Sequence, residues 1–186
     1  MLKILIHKVF LEYHARAVWV DETGFRTHMT RKRGWSKRGQ RLRYTCRRRS
    51  SQYTLVCAMG YDGVVAQWVF PKGLDAKRWR TFVLEKLLTA LEPGRIVLWD
   101  NLKIHQNREL IRALRLAGHW VFFTPPYSPE GNPIEYMFSK LKTFVRKQCP
   151  RSAETLRSAI AAGLKTITQH DIASYFLVAW GHVLSW

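Results

Sequence analysis

The hydrophobic and polar positions of the first 70 residues predict three strands. The apolar run Ala17–Asp21 ends in a carboxylate. Thr54–Met59 and Val64–Phe70 are rich in residues that favour strands, and the segment Gly60–Gly63 between them has the sequence GYDG, which is typical of a hairpin turn. The three segments together predict an antiparallel meander.

The following stretch predicts helices that alternate with strands. Apolar residues at helical spacing predict a helix over Leu74–Leu91, and a second helix is predicted over Asn107–Ala117. Arg95–Asp100 is apolar on both faces before its acid, which is typical of a buried parallel strand, and Trp120–Phe123 is another apolar strand. The two helices are long enough to serve as crossovers between parallel strands.

The last third of the chain is predicted to be helical after a proline-rich loop. Thr124–Pro133 contains four prolines and cannot form regular structure. A helix is predicted from Ile134 to about Gln148, then a helical region over Ala153–Ile167 and an apolar tail. The element order predicts an α/β fold with a mixed five-stranded sheet, in which three strands are antiparallel and two are parallel, flanked by helices.

Composition and charge narrow the class of protein. The 186 residues are 47% hydrophobic, enough for one packed domain, and 31 Lys and Arg against 13 Asp and Glu give a net charge of +18. Such an excess indicates a polyanionic partner, either nucleic acid or an anionic membrane. The late uncharged run Ile172–Trp186 is shorter than the roughly 20 residues of a membrane-spanning helix. Three widely spaced cysteines favour neither a zinc knuckle nor disulfides. We therefore expect a soluble, cytoplasmic protein that contacts nucleic acid and no membrane.

The positive charge is concentrated between Arg26 and Arg49, where eleven basic residues occur and no acid lies between Thr23 and Tyr61. A solvated loop is one interpretation, but phosphates would relieve the repulsion among so many cations through counterion release. Trp35, Tyr44 and Tyr53 could stack on bases or belong to local core. The residues of this segment that we predict to contact nucleic acid are Arg31, Lys32, Arg33, Lys37, Arg38, Arg41, Arg43, Arg47, Arg48 and Arg49.

Two acids, Asp21 and Asp100, each end an apolar strand. In open α/β sheets, sites form beyond the carboxyl ends of the strands, so these two acids would meet there if their strands are neighbours. Paired buried carboxylates need a compensating charge, and a hard divalent cation with oxygen ligands supplies it. A turn or cap role is the alternative for each acid alone. Glu22 is a weaker candidate because adjacent strand residues point to opposite faces.

A third acid, Glu135, lies in the first turn of the helix that follows the proline-rich loop. A favourable interaction with the helix dipole would by itself explain a glutamate there. However, Lys142 and Arg146 fall on the same helical face, and a phosphodiester backbone could lie along this cationic stripe. The rigid loop would also fix a catalytic acid at the head of the helix. Glu130, within the loop, is the rival third ligand.

Four short motifs are distributed along the chain: Val20–Gly24 (VDETG), Gly34-Trp35 with Gly39, Trp99–Asn101 (WDN) with Ile104-His105, and Pro125–Glu135 (PPYSPEGNPIE). Together these motifs resemble those of the DDE transposases, and more narrowly bacterial insertion-sequence members of the mariner superfamily. The similarity covers about Val18 to Arg146, and the 34 residues between Asp100 and Glu135 are a typical spacing of that group.

The resemblance implies a ribonuclease-H-like fold with Asp21, Asp100 and Glu135 as a catalytic, metal-binding triad. It implies metal-dependent cutting of transposon ends and joining of the freed 3′-hydroxyl to target DNA. We expect two Mg²⁺ (or Mn²⁺) ions, which clamp an in-line displacement. The partners would be double-stranded DNA and a second copy of the chain. His105 could orient a phosphate or water, or bond only locally.

The chain departs from the family pattern in two places. Only about 17 residues precede the first strand, where family members usually carry a helix-turn-helix region, so a separate helix-turn-helix polypeptide could supply it. Leu102-Lys103 replaces the small residue and proline more usual before Ile-His. We therefore expect a lead-in over 1–17, a catalytic domain over 18–150 and a helical extension over 151–186. A nuclease that does not join strands and a non-catalytic DNA-binding remnant remain alternatives.

Overall fold

The computed structural model describes residues 12, 15–31, 34–41, 50–124 and 131–184. Within them, five strands form one sheet. The strands are β1 (Ala17–Arg26), β2 (Gln52–Gly60), β3 (Gly63–Pro71), β4 (Ile96–Trp99) and β5 (Trp120–Phe123). The spatial order is β3-β2-β1-β4-β5. β1 pairs with β2, and β2 with β3, in antiparallel fashion, while β1–β4 and β4–β5 are parallel. The predicted mixed sheet of three antiparallel and two parallel strands is confirmed.

β1 is longer than the sequence predicts, because it continues past Asp21 to Arg26 alongside β2. Its parallel pairing with β4 stops earlier, at Trp19 opposite Leu98. Continuing that register by two residues places Asp21 level with Asp100. The two acids therefore lie at the same edge of the sheet, although only Asp100 follows the end of its strand.

The helices lie close to their predicted positions. The predicted Leu74–Leu91 helix is interrupted by a π-helical turn, Val83–Leu87, and Asp75 caps its start. The apolar tail is itself a helix. None of the helices in the described residues is long and apolar enough to cross a membrane. The α-helices are α1 (Ala76–Phe82), α2 (Leu88–Ala90), α3 (Arg108–Leu116), α4 (Pro133–Gln148), α5 (Ala153–Leu164) and α6 (Gln169–Leu184).

Each face of the sheet carries its own hydrophobic core. Val18 and Val20 of β1 pack with residues of α1 and α3, such as Trp79 and Leu110. Phe25 points to the opposite face of β1 from Val18 and Val20, and it packs with residues of α4, α5 and α6. The predicted inward positions of α4, namely Phe138, Leu141 and Val145, are all fully buried in that second core. The C-terminal helices thus complete the core over the sheet face that α4 covers.

Candidate active site

Asp21 and Glu22 project from opposite faces of β1. Asp21 shares the parity of Phe25 and faces the side of α4, where its Oδ2 accepts a hydrogen bond from Asn132 Nδ2 at 2.9 Å. Glu22 shares the parity of Val20 and faces the other side. The predicted opposite orientation of these neighbours therefore agrees with the packing, and both side chains are half-buried.

Asp100 is held in the turn that follows β4. Its Oδ1 accepts a hydrogen bond from the Leu102 backbone N–H at 3.2 Å and another, shorter one from His105 Nδ1. The turn closes on itself because the His105 backbone N–H donates to the Leu102 carbonyl at 2.9 Å. Asp100 stays 43% exposed and can still meet a ligand, while its orientation is set by the turn.

Glu135 lies in the first turn of α4 and is exposed. Its backbone N–H donates to the Asn132 carbonyl at 3.2 Å, while Asn132 Oδ1 caps the helix by accepting from the Ile134 N–H at 3.3 Å. The same Asn132 side chain reaches Asp21 through its amide nitrogen. One residue therefore fixes the start of α4 relative to β1.

The charges of the neighbouring acids affect the pKa of Asp21. Burial raises the pKa of Asp21 to about 7, and the charges of Glu22, Glu135 and Asp100 add to the increase against the opposing effect of the Glu22 backbone N–H. Asp21 therefore lies near enough to Asp100 and Glu135 for their charges to raise its pKa further.

The pKa values of Glu22 and Asp100 are shifted in opposite directions. Burial also raises the pKa of Glu22, and the nearby His105 partly opposes this. Burial would likewise raise the pKa of Asp100, but the hydrogen bond and charge of His105 hold it below its usual value. Asp100 is therefore more readily ionised than Asp21 or Glu22, and Asp21 needs a positive partner to ionise fully near neutral pH.

The donor chemistry of this region fits a hard divalent cation. Carboxylate oxygens are the ligands that Mg²⁺ and Mn²⁺ prefer, and a cation would offset the burial and the neighbouring negative charges that raise the pKa of Asp21. In the part of the chain that the structure describes, no three His, Cys, Asp or Glu side chains already form a metal cluster. The fit therefore lies in the identity and charge of the donors.

The basic residues between β1 and β2 are exposed wherever the structure describes them, namely at Arg31, Lys37, Arg38 and Arg41. Trp35 is 99% exposed, whereas Tyr53 is buried in the core. The other predicted DNA contacts of this segment lie outside the described residues: Lys32, Arg33, Arg43, Arg47, Arg48 and Arg49. The aromatic residue Tyr44 also lies outside them. Glu130 and most of the proline-rich loop also lie outside them.

The predicted cationic stripe on α4 lies beside the acids. Glu135 and Ser139 are exposed, while Lys142 and Arg146 are half-buried on the same side of the helix. The stripe therefore begins at the candidate site and is open to solvent along part of its length.

Two features of the site were missed or underrated from the sequence. Asn132 was not identified, although its position before Pro133 is typical of a helix N-cap and could have indicated it. His105 was identified only as an orienting or local residue. Its contacts with Asp100 and with Glu22 join residues that are far apart in the sequence, and no sequence pattern signals the second contact.

Comparison with known proteins places the fold. No curated protein sequence matches the chain. Among solved structures, the Mos1 transposase paired-end complex with left transposon end is 21% identical, with a TM-score of 0.75 over 94% of this chain and 55% of that one. The mariner Mos1 paired end complex with Mg is 22% identical, with a TM-score of 0.76 over 98% of this chain and 59% of that one. The Mos1 transposase catalytic domain with Raltegravir and Mn is 17% identical, with a TM-score of 0.71 over 98% and 89%.

These structures confirm the ribonuclease-H-like fold, and the chain spans little more than half the length of the Mos1 chains in the paired-end complexes. A sequence model of the DDE superfamily endonuclease family matches residues 16–157, about three quarters of the chain. The chain therefore belongs to the DDE superfamily of endonucleases.

Proposed function

We propose that this chain is the catalytic part of a transposase, which cuts DNA at transposon ends and joins the freed ends to target DNA. The observation that carries the proposal is that the fold brings Asp21 of β1 level with Asp100 just after β4, while Asn132 joins Asp21 to the head of α4, where Glu135 lies. Structures with the same fold include a Mos1 paired-end complex with a transposon end and a Mos1 strand transfer complex.

Asp21, Asp100 and Glu135 would hold the divalent cations, Mg²⁺ or Mn²⁺, and we propose two of them. When bound, such ions supply Lewis-acid stabilisation of charge on the phosphate and a strong oxygen nucleophile at neutral pH. Mos1 structures with the same fold contain Mn or Mg. The negative region around Asp21 is the part of this chain whose charge such ions would balance.

The protein's own residues orient the acids and admit the substrate. Asn132 directs Asp21 and fixes the head of α4, while the turn from Asp100 to His105 directs Asp100. Glu135 remains exposed at the helix head, where a phosphodiester can approach it. Because phosphoryl transfer depends mainly on positioning and on neutralising charge, the reaction needs no covalent intermediate on the protein.

The exposed cations between β1 and β2 would bind the DNA backbone, together with Lys142 and Arg146 on α4. Their exposure leaves them free to follow phosphates, and such contacts give affinity without sequence preference. We propose that recognition of particular transposon ends depends on a helix-turn-helix region distinct from the catalytic domain. Two ends held together would require two copies of the chain, assembled as a dimer on DNA.

The test is a combined nicking and strand-transfer assay. Wild-type chain and Asp100→Ala would be incubated with Mg²⁺ or Mn²⁺, a DNA end, pre-cut ends and a target duplex. We expect cut and joined products from the wild type only. Cutting without joining would identify a hydrolytic nuclease, and DNA binding without either product would identify a non-catalytic remnant. Equal activity of the two proteins would exclude the assigned triad.

A further inference from the structure

We propose that Glu22 and His105 form a buried link that positions Asp100 relative to β1. The inference rests on the proposed function, because it assigns a purpose to residues that surround one of the three acids. It makes both of them positioning residues that act through Asp100. Three observations carry it: the confinement of the His105 ring, its contact with Asp100 and its approach to Glu22.

The His105 ring is confined by aromatic side chains. Only 1% of the residue is exposed, and its ring centroid lies 4.1 Å from that of Trp79 and 6.3 Å from that of Trp99. Trp79 and Trp99 are themselves buried and belong to the core between the sheet and the helices α1 and α3. The imidazole can therefore rotate little, and its two nitrogens point in directions that the core determines.

One nitrogen of this ring holds Asp100. His105 Nδ1 donates to Asp100 Oδ1, which also accepts from the Leu102 backbone N–H. Asp100 is the more exposed partner, so the confined ring restrains the carboxylate and not the reverse. An exposed acid at a strand end would otherwise sample several rotamers. The histidine therefore selects one orientation before any ligand arrives.

The other nitrogen faces β1. His105 Nε2 lies 3.8 Å from Glu22 Oε2, and neither atom has a hydrogen-bond partner within the described part of the chain. At this separation the contact is an ion pair and not a hydrogen bond, and it is attractive when Nε2 carries a proton, because Nδ1 already donates to Asp100. Such a contact compensates two buried polar atoms that would otherwise be left without a partner. Glu22 is fixed by its strand, in which it pairs with Val56 of β2.

Two adjacent residues of β1 have different roles in this arrangement. Asp21 faces the site with Asn132, while Glu22 faces the opposite side of the sheet and reaches Asp100 through His105. Asp100 is thereby fixed in position relative to β1, although the backbone pairing of β1 with β4 ends at Trp19 and Leu98. A positioning role of this kind is comparable to the outer-sphere partners that orient metal ligands.

The experiment compares variants of the full chain by two readouts, neither of which is catalytic activity. The first is Mn²⁺ affinity, measured by calorimetry. The second is hydrogen exchange of the Leu102 amide in the metal-free protein, measured by NMR. His105→Ala removes both contacts, His105→Asn keeps a donor near the position of Nδ1, and Glu22→Leu removes the second contact at similar size. Thermal unfolding shows that each variant is folded.

We expect His105→Ala to weaken Mn²⁺ binding by about 10- to 100-fold. His105→Asn should recover part of that loss, and Glu22→Leu should weaken binding by a smaller factor. In all three variants the Leu102 amide should exchange faster than in the wild type. A residue that contributes only to stability would shift the unfolding temperature without this graded recovery by Asn.

Matched controls are available for both residues. His119 is also a buried histidine with a nitrogen that has no partner among the described residues, but it lies next to β5. Glu109 is an exposed acid on α3 that pairs with Arg80. His119→Ala and Glu109→Leu should leave both readouts unchanged.

Wild-type Mn²⁺ affinity and Leu102 exchange in all the His105 and Glu22 variants would overturn the link. If the wild type binds no Mn²⁺ and cuts no DNA, the proposed function fails instead. The exchange rate of Leu102 in the metal-free variants still decides whether the link orients Asp100.

Discussion

The acids and the cations that we assign to function occupy contrasting surroundings. Asp21 and Asp100 each accept hydrogen bonds from backbone and side-chain groups, and their elements belong to the central sheet. The described cations between β1 and β2 are exposed, and so is Trp35. Chemistry requires donors in fixed positions, whereas backbone binding tolerates side chains that adjust to the DNA. The contrast implies that catalysis and DNA binding can be separated by mutation.

The largest separation is expected from Asp100→Ala. Removing a carboxylate that would ligate the cation should lower DNA cleavage by more than about 100-fold, since even outer-sphere partners account for 10- to 100-fold. DNA affinity should stay within a factor of about two, because the contacts that provide it lie elsewhere. Cleavage rates and filter binding measure the two effects. Asp62→Ala, at the hairpin turn, is the control, and a parallel loss of binding by Asp100→Ala would contradict the separation.

The converse separation is expected from replacing three exposed cations together, Lys37, Arg38 and Arg41, by glutamine. Each lost phosphate contact should reduce the slope of log affinity against log salt by about 0.9, or about 2.7 in all, which is about 100-fold in affinity near 0.15 M salt. Mn²⁺ affinity should not change. Affinity measured across a salt series tests this.

The control for that triple variant replaces exposed cations elsewhere on the surface, namely Arg112, Arg115 and Lys165. An equal loss of slope in both triple variants would mean that affinity depends on net charge alone, and the segment between β1 and β2 would then have no special role.

A smaller effect is expected from Trp35→Ala. An indole that is 99% exposed contributes little to folding, so the free energy of unfolding should not change. If the ring stacks on a base, affinity for single-stranded or distorted DNA should fall by about fivefold, the low end of the stacking range of 1–3 kcal/mol. Fluorescence quenching on DNA addition tests the same contact. Unchanged affinity and unchanged fluorescence would leave only the cations as binding residues.

The smallest effect on function is expected from replacing Asn132, which joins Asp21 to the head of α4. Asn132 and Asn107 both cap helices through their side-chain oxygens, but only Asn132 also contacts Asp21. Asn132→Ala and Asn107→Ala should each lower the free energy of unfolding by about 1 kcal/mol. Only the first should also weaken Mn²⁺ binding. Equal metal affinities for the two variants would mean that Asn132 acts as a cap alone.

The sequence predicted the fold well where one physical signal was sufficient. β4 was evident because it is apolar on both faces, as a central parallel strand must be, and the turn at Gly60–Gly63 joins β2 and β3 as expected. β1 was predicted too short because the residues after Asp21 are largely polar or small and pair only with β2. The π-helical turn at Val83–Leu87 interrupts a regular apolar repeat that gave no sign of it.

The acids of the candidate site could be predicted from the sequence, but the residues that contact and orient them could not. Asp21, Asp100 and Glu135 stand out in the sequence because the first two follow apolar runs and the third begins a helix, and their assignment as ligands remains a prediction. The contact of Asn132 with Asp21 joins residues 111 positions apart, and that of Glu22 with His105 also depends on the tertiary fold. Local pattern cannot specify such pairs, since each residue has an adequate local explanation.

We have proposed that Asp21, Asp100 and Glu135 together bind a divalent cation. The decisive measurement is calorimetric titration with Mn²⁺ of the wild type and of Asp21→Asn, Asp100→Asn and Glu135→Gln, with Asp62→Asn as control. We expect the wild type and the control to bind Mn²⁺ and each of the three variants to lose most of that affinity. Wild-type affinity for Mn²⁺ in any of the three variants, or no binding by the wild type, would refute the proposed site.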